Sequence, residues 1–343
     1  MKISRKRGAL ARTLAGCVLL ASPLVLAPHP ARAEGQYVST EGVPDGVEEM
    51  YRKGLRFLAS TQKENGTFGS GGPYDTQPAV VGLSGLAFLA HGDDPNTGPY
   101  AKNIRQAVNF VLSQQKEDGY IGNSMYNHGF STLFLAEAYG MVNDDRIGPA
   151  LQKAVNLIAD SQAKNAFGAW RYSPDSTDAD TTVSGACFVA LAAAANAGIR
   201  IPDKAYPSAL KYYRLCMDRS GGVGYTAANG GNETLTAIGA LCFTLAKDKK
   251  SPAYKKMIAF LEDAAGDNGN RGYADYTRYY KSQACFHGGT KMWDTFNEEN
   301  IKELKASQAE AGGWEGPFGP TFSTAASLLS LALNYRFLPI YER

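Results

Sequence analysis

Residues 53–68 read KGLRFLASTQKENGTF, an amphipathic stretch that leads to a glutamine and then to a glycine and an aromatic residue. The same order returns at the same spacing 53 residues later, around Gln115. Further copies centre on Gln162 and Gln308, and two weaker copies without the glutamine lie between them. From Gln62 to Gln308 the chain takes five steps of about 49 residues, so six related units make up most of the sequence.

Each unit contains two helical stretches of different character. The first has apolar residues at i, i+3 and i+4 and ends at the glycine turn, which is typical of an amphipathic helix. The second is shorter, rich in small residues and apolar on all faces, so we expect it to be buried on all sides. Examples cover residues 80–90, 129–138, 183–195, 235–246 and 325–333. Six such hairpins favour an all-α fold, an (α/α)6 toroid with two concentric layers that closes on itself.

The repeat also resembles a known family. Lys53 to Phe68 is similar to the glutamine–tryptophan repeat of squalene-type terpenoid cyclases, and the resemblance extends over residues 48–339. Those enzymes share a six-hairpin toroid with the β subunits of protein prenyltransferases, so the resemblance implies that fold here. The subgroup that it points to is that of exported bacterial proteins with prenyltransferase/squalene-oxidase repeats. The repeat glutamine also has a structural interpretation, because its amide can reach backbone groups of the next outer helix.

The first 33 residues have the composition of an export signal. They contain six basic residues, no acidic residue and an apolar run from Leu14 to Ala27 that is too short to cross a bilayer. They end at a small-x-small cleavage signal, Ala31-Arg32-Ala33. We therefore expect a signal peptide over residues 1–33, cleaved near Ala33, and an extracytoplasmic protein. An N-terminal extension over 34–47 and a toroid domain over 48–343 would follow.

The net charge and the apolar segments of the chain argue against nucleic-acid binding and against a membrane-spanning protein. Removing the six basic residues of the leader leaves 29 basic against 33 acidic residues, a net charge of about −4, which withdraws support for nucleic-acid binding. After the leader, no segment has the ~20 apolar residues that span a bilayer. A lipoprotein-type box ends at Cys17, but most of the apolar run follows it, which disfavours lipid attachment.

Four more cysteines follow the leader. We interpret them as small buried apolar side chains, and if they form disulfides the sequence does not decide which of them pair: Cys187, Cys216, Cys242 and Cys285.

In a closed ring of hairpins, every inner helix begins at the same end, so the polar residues before the inner helices meet at one mouth. They are Asp75, Thr76, Gln77, Asn127, His128, Asp178, Asp180, Thr181, Asn232, Glu233, Thr234, Tyr279, Tyr280, Gln283, Thr321 and Ser323. Helix capping is the simpler explanation for each of them. A polar rim over an apolar cavity is nonetheless the usual form of a ligand site. We expect a hydrophobic or elongated ligand in the central cavity, which could be a hydrophobic small molecule, a peptide or a glycan, without a metal or a cofactor.

The sharpest candidate cluster is Trp170-Arg171-Tyr172 followed by Asp178-Ala179-Asp180-Thr181-Thr182. It resembles the Asp-x-Asp-Asp-Thr motif of squalene-hopene-type cyclases, whose middle aspartate protonates an alkene. The resemblance implies that Asp180 is the proton donor and Asp178 its partner. It departs from the motif at Thr181, which removes a carboxylate that would raise the pKa of its neighbours. The inner helices also carry few aromatic residues to stabilise a carbocation. We predict that the other binding residues are Trp170, Arg171, Tyr172, His128, Glu233, Asp75, Tyr279 and Tyr280.

Other functions remain open. A zinc prenyltransferase is disfavoured, because Cys285 and His287 point to nearly opposite faces of a helix. One alternative is a non-catalytic module at the cell envelope that binds a ligand or a partner protein at its rim. Another is a carbohydrate-active enzyme, lyase or hydrolase, in which Asp180 and Glu233 form an acid and base pair across the mouth.

Overall fold

A computed structural model describes residues 42–263 and 273–341 of the chain. Within these ranges the chain forms twelve α-helices and isolated β-bridges but no strand. The predicted signal peptide, Cys17 and residues 34–41 of the predicted extension lie outside the described residues.

The helices alternate between an outer and an inner layer, as the two kinds of stretch in the repeat predict. The outer helices are α1 (Val47–Thr61), α3 (Ala101–Ser113), α5 (Ile147–Lys164), α7 (Ala205–Cys216), α9 (Pro252–Asp263) and α11 (Thr290–Ser307). The inner helices are α2 (Pro78–Ala90), α4 (Met125–Ala138), α6 (Thr181–Asn196), α8 (Glu233–Leu245), α10 (Ala274–Gly288) and α12 (Pro320–Ala332). Almost every residue of α2, α6 and α12 is buried, because these helices have no solvent-facing side.

The six inner helices form a closed ring. Each of them contacts the inner helices of the preceding and following hairpins, and α12 contacts α2. Small residues allow this close approach: a Cβ atom added to Gly129 of α4 would lie 3.0 Å from the backbone of Ala186 in α6. The prediction of an all-α, (α/α)6 toroid is confirmed.

The repeat glutamines join neighbouring hairpins. The Nε2 of Gln62 donates a hydrogen bond to the carbonyl of Asn103 in the first turn of α3, at 3.2 Å. The glutamines of the second and third hairpins make the same bond to the next outer helix. Gln308 of the last hairpin donates to the carbonyl of Met50 in α1, at 2.9 Å, and so links the ends of the ring. The structural interpretation of this residue is confirmed.

The C-terminal segment also ties the last hairpin to the first. The Tyr335 hydroxyl donates to a carboxylate oxygen of Glu48 in α1 at 2.7 Å, and its ring meets that of Tyr51 edge-on at 5.2 Å. A short 3-10 turn at Pro339–Tyr341 then contacts α6, an inner helix, and Tyr341 is buried. The end of the described chain therefore occupies part of the interior of the ring.

The four cysteines of the described chain are buried and free, as the interpretation of small apolar side chains predicts. Within the two described ranges, no helix is both long enough and apolar enough to cross a membrane.

Candidate functional site

The inner helices begin at one end of the ring, and the described loops that lead into them lie at that end. Asp180 lies there as the N-cap of α6 and is fully buried. Its Oδ1 accepts hydrogen bonds from the backbone N–H groups of Thr182 at 2.9 Å and Val183 at 2.8 Å, and from the Thr182 hydroxyl at 2.6 Å. Its Oδ2 is buried without a hydrogen-bond partner among the described residues. One carboxylate oxygen is thus used by the helix, and the other accepts no hydrogen bond and can carry a proton.

Burial raises the pKa of Asp180 above its usual range, although the hydrogen bonds to Oδ1 and the Arg171 guanidinium act in the opposite direction. A carboxyl group with a raised pKa keeps its proton to higher pH, which suits a general acid. Because Oδ1 already accepts three hydrogen bonds, the acid form would carry its proton on Oδ2.

Arg171 covers this carboxylate from the loop between α5 and α6. Its Nε lies 3.8 Å from Oδ2 of Asp180, and its Nη1 lies 3.4 Å from Oδ2 of Asp178. The guanidinium also lies over the rings of Tyr172 and Tyr225, 5.3 and 5.6 Å from their centroids. The hydroxyls of these two tyrosines are 2.7 Å apart, so the loops of the third and fourth hairpins meet here. The Asp178 side chain is 64% exposed, so of the two predicted acids only Asp180 is desolvated.

A hydroxyl relay connects Asp180 to the neighbouring inner helix. The hydroxyl of Tyr126, in α4, donates to Oγ1 of Thr182, and the Thr182 hydroxyl in turn donates to Oδ1 of Asp180. Burial and the nearby Tyr276 of α10 raise the pKa of Tyr126, so this phenol stays protonated and remains a donor. Sequence reasoning missed Tyr126, although it directly precedes the predicted rim residues Asn127 and His128, because the hydroxyl relay depends on a contact with the next inner helix.

Aromatic side chains close the middle of the ring below the mouth. Phe130 of α4 and Tyr279 of α10 meet at 6.0 Å between centroids, and α4 and α10 lie opposite one another in the ring. Tyr280 packs edge-on against both Tyr276 and Tyr279, at 5.0 and 4.8 Å. The expectation that the inner helices carry few aromatic residues is wrong for α4 and α10.

Tyr279 and Tyr280 are accordingly not at the rim, where the sequence placed them. The reason is that α10 begins at Ala274, so both residues lie in its second turn, buried inside the ring. They form the floor of the mouth and not its edge.

Two further predicted carboxylates are at the mouth but are already engaged. Asp75 accepts hydrogen bonds from the backbone N–H groups of Gly71 and Gly72, at 3.0 and 3.2 Å, and organises the loop before α2. Glu233, the first residue of α8, forms an ion pair with Lys281 of α10 and is buried. Both residues stabilise the rim, Asp75 through its own loop and Glu233 through the ion pair with Lys281.

Asp275 is a buried carboxylate of the mouth that sequence reasoning missed. It lies in the first turn of α10 and accepts a hydrogen bond from the Ser323 hydroxyl of α12, at 2.6 Å. Burial raises its pKa. Its position in the sequence, directly after Tyr273 and Ala274, would have identified it had the start of α10 been placed correctly.

Two predicted binding residues serve packing. His128 is buried in the first turn of α4; its Nδ1 accepts from the N–H of Ile121 at 3.1 Å and its Nε2 donates to the carbonyl of Ala154 at 3.0 Å. Burial lowers the pKa of His128 to about 4, so the ring is neutral. Trp170 is also buried and donates from its indole N–H to the carbonyl of Ile158 at 2.8 Å. Both side chains point toward the outer helix α5 and not toward the mouth.

Two further features of the described chain lie away from Asp180. In residues 42–263 and 273–341, no three His, Cys, Asp or Glu side chains are arranged to hold a metal ion. An open surface depression of about 740 Å³ lies beside Asp218 and Lys256, outside the ring. The Asp218 carboxylate there is taken up by its own loop, through the N–H groups of Ser220 and Gly222.

The fold and the mouth define an α/α-toroid protein of the architecture found in terpene cyclases and mannanases. Residues 48–306 match the model of a family described as Domain of unknown function (DUF6288), and the chain belongs to that family. A comparison with curated proteins finds no match.

Solved structures share the architecture at low sequence identity. One is the type II terpene cyclase MstE from Scytonema with merosterolic acid A, at 15% identity and a TM-score of 0.58, covering 85% of this chain and 98% of the cyclase. Another is an inactive variant of an α-1,6-mannanase of Salegentibacter sp. with α-1,6-mannotetrose, at 10% identity and a TM-score of 0.65, covering 85% and 99%. A protein from Actinoplanes matches at 14% identity and a TM-score of 0.56, covering 84% and 99%. These similarities establish the fold.

Proposed function

We propose that the chain is an acid-catalysing enzyme whose ligand binds at the mouth of the toroid and that Asp180 is its general acid. The observation that carries this proposal is the asymmetry of the Asp180 carboxylate. Oδ1 accepts three hydrogen bonds, whereas Oδ2 is buried without one. A proton held on Oδ2 would be ready for transfer to a ligand, as in cyclase-like acid chemistry.

Helix capping alone does not account for a carboxylate at this place. Asn232 caps α8 at the equivalent position, where its side-chain oxygen accepts from the N–H of Leu235 at 3.0 Å. Ser124 caps α4 in the same way. A neutral acceptor is therefore sufficient for the helix, and an acid in the buried position of Asp180 costs desolvation energy that a cap does not require.

Arg171 gives the site a means of controlling the acid. In the present arrangement its guanidinium lies beside Oδ2 and is itself balanced by the exposed Asp178. A ligand that moves the guanidinium toward Asp178 would expose Oδ2 and remove the positive charge that favours the ionised form. In this proposal Asp178 positions Arg171 and is not the acid.

Two probe substrates and three matched proteins test the proposal. The probes are geranylgeraniol, whose acid-initiated cyclisation conserves mass, and a p-nitrophenyl glycoside series, whose hydrolysis releases a chromophore. We expect wild-type turnover of one probe, loss of at least a hundredfold in Asp180→Asn and less than tenfold in Asp178→Asn, with melting temperatures within a few degrees. A wild-type protein that turns over neither probe, or an Asp180→Asn variant that remains fully active, would contradict the proposal.

A carbohydrate-active enzyme is the second candidate, and Asp275 favours it. Glycoside hydrolysis uses two carboxyl groups at one site, one as the acid and the other as the base or nucleophile. Glu233, the predicted partner of Asp180, is held by Lys281, whereas Asp275 is a second buried carboxyl group at the mouth, in the first turn of α10.

A further inference from the structure

The interior of the ring is blocked from both sides in the described structure. From the mouth, the rings of Phe130 and Tyr279 meet at the axis between opposite helices. From the other end, the turn at Pro339–Tyr341 contacts α6, and Ile340 and Tyr341 are buried. A long prenyl chain threaded along the axis would have to displace these side chains. The expectation of an elongated ligand within the central cavity therefore does not fit this arrangement, and the ligand of the proposed site should lie across the mouth.

The rim of the mouth presents exposed aromatic faces on two sides. On one side, Tyr172 and Tyr225 are 46% and 37% exposed and are joined through their hydroxyls. On the other side, Tyr74 and Tyr273 are 44% and 50% exposed, and each packs against Phe318, at 6.0 and 5.7 Å. These residues come from the loops of the first, third, fourth, fifth and sixth hairpins. Exposed aromatic rings grouped around one opening are uncommon unless they bind something.

The cations beside these aromatic groups are already paired with carboxylates. Arg171 pairs with Asp178 and Lys281 pairs with Glu233, so neither offers a free positive charge to a diphosphate or an acidic peptide. The Asp178 side chain is exposed at the rim, and its carboxylate can accept hydrogen bonds from a neutral ligand rich in hydroxyl groups.

We infer that the mouth binds a neutral saccharide, with sugar rings stacked on Tyr172 and Tyr74 and hydroxyl groups bonded to exposed polar groups of the rim such as Asp178. A sugar ring has an apolar C–H face and a hydroxyl edge, which is the combination that aromatic faces beside carboxylates would recognise. The inference rests on the proposed function only in that it places the ligand at the same mouth.

Saturation-transfer NMR on the full chain tests the inference. The probes are neutral tetrasaccharides of mannose, glucose and N-acetylglucosamine at millimolar concentration, with farnesol as the rival. We expect transfer to at least one tetrasaccharide, weakened tenfold or more in both Tyr172→Ala and Tyr74→Ala. Tyr139→Ala is the matched control, because Tyr139 is equally exposed, at 43%, but follows the last turn of α4 at the opposite end of the ring.

The outcomes separate this inference from the proposed acid. Binding of no tetrasaccharide, binding of farnesol alone, or saccharide binding unchanged in Tyr172→Ala and Tyr74→Ala overturns it. Asp180→Asn should bind the saccharide within a few-fold of wild type. Saccharide binding with unchanged turnover in Asp180→Asn would remove the acid role and leave the saccharide site standing. Turnover of geranylgeraniol that depends on Asp180, without saccharide binding, would support the acid role and overturn the saccharide site.

Discussion

Phe130 and Tyr279 meet across the axis of the ring, edge to face and 6.0 Å apart, although they belong to inner helices on opposite sides. This contact separates a mouth lined by polar groups from the interior below it. The chemistry available to the protein in this state is therefore concentrated at the ends of the inner helices, around Asp180.

Phe130→Ala should destabilise the protein by about 3–5 kcal/mol, because the truncation leaves a cavity at a place where the ring cannot collapse. Urea denaturation followed by circular dichroism measures this change. Tyr139→Ala, at an exposed position, should cost within about 0.5 kcal/mol and serves as the control. A small loss of unfolding free energy for Phe130→Ala would mean that the axis of the ring is already open. A long apolar ligand could then bind along that axis.

Asp180→Ala and Asp180→Asn should differ in stability. The alanine variant loses the cap of α6 and should cost about 1–2 kcal/mol, whereas asparagine keeps an acceptor for the N–H groups of Thr182 and Val183. At pH 7 we expect Asp180→Asn to be at least as stable as wild type, since it removes a buried carboxylate whose pKa is raised. Asn232→Ala, which removes a neutral cap, gives the reference loss of about 1 kcal/mol. Equal losses in the two Asp180 variants would argue against a desolvated carboxyl group.

The sequence predicts the ring well because the repeat encodes contacts between neighbours. Gln62 and Gln308 recur at fixed spacing, and each bonds to the next outer helix, so periodicity alone indicates six hairpins. Closure depends on the same bond from Gln308 to the first hairpin.

The mouth is predicted less well because it depends on where each inner helix begins. Asp180 is a true N-cap and lies where expected. His128 lies in the first turn of α4, and Tyr279 lies in the second turn of α10. Both helices begin earlier in the chain than the polar residues of the sequence suggest. Contacts across the ring, such as that of Phe130 with Tyr279, join residues far apart in the chain and leave no periodic trace.

His128 should make the protein lose stability as the pH falls. Its folded-state pKa of about 4 is below the usual 6.5, so the neutral form is favoured in the folded state. This contribution to the free energy of unfolding is complete above pH 6.5 and falls by about 3 kcal/mol as the pH drops through 4.

The free energy of unfolding should be compared between wild type and His128→Gln at several pH values from 7 to 4. Glutamine can accept from Ile121 and donate to Ala154 without titrating. The difference between the two curves isolates the histidine, because all other groups are shared. Parallel curves would show that His128 is not desolvated.

Thr182→Val should raise the pKa of Asp180 further, because the Thr182 hydroxyl donates to the charged form of the carboxylate. Carbon-13 NMR titration of labelled aspartate carboxyl groups, with Asp180→Asn to assign the signal, measures the shift. Tyr126→Phe should give a smaller rise, since it acts only through Thr182, and Thr182→Ser should restore the wild-type value. An unchanged pKa of Asp180 in Thr182→Val would show that the hydroxyl relay does not affect the acid.

Gly119→Ala tests the glycine of the repeat. Gly119 has φ +93°, and a Cβ atom there would lie 2.6 Å from the carbonyl oxygen of Lys153 in the next outer helix. Gly140 has a similar φ of +89° but nothing within 4 Å of an added Cβ atom. Gly140→Ala should therefore cost only the backbone term, about 1 kcal/mol, whereas Gly119→Ala should cost about 2 kcal/mol more because two hairpins must separate. Equal melting temperatures for the two variants would mean that the repeat keeps its glycine for the turn alone and not for the contact between hairpins.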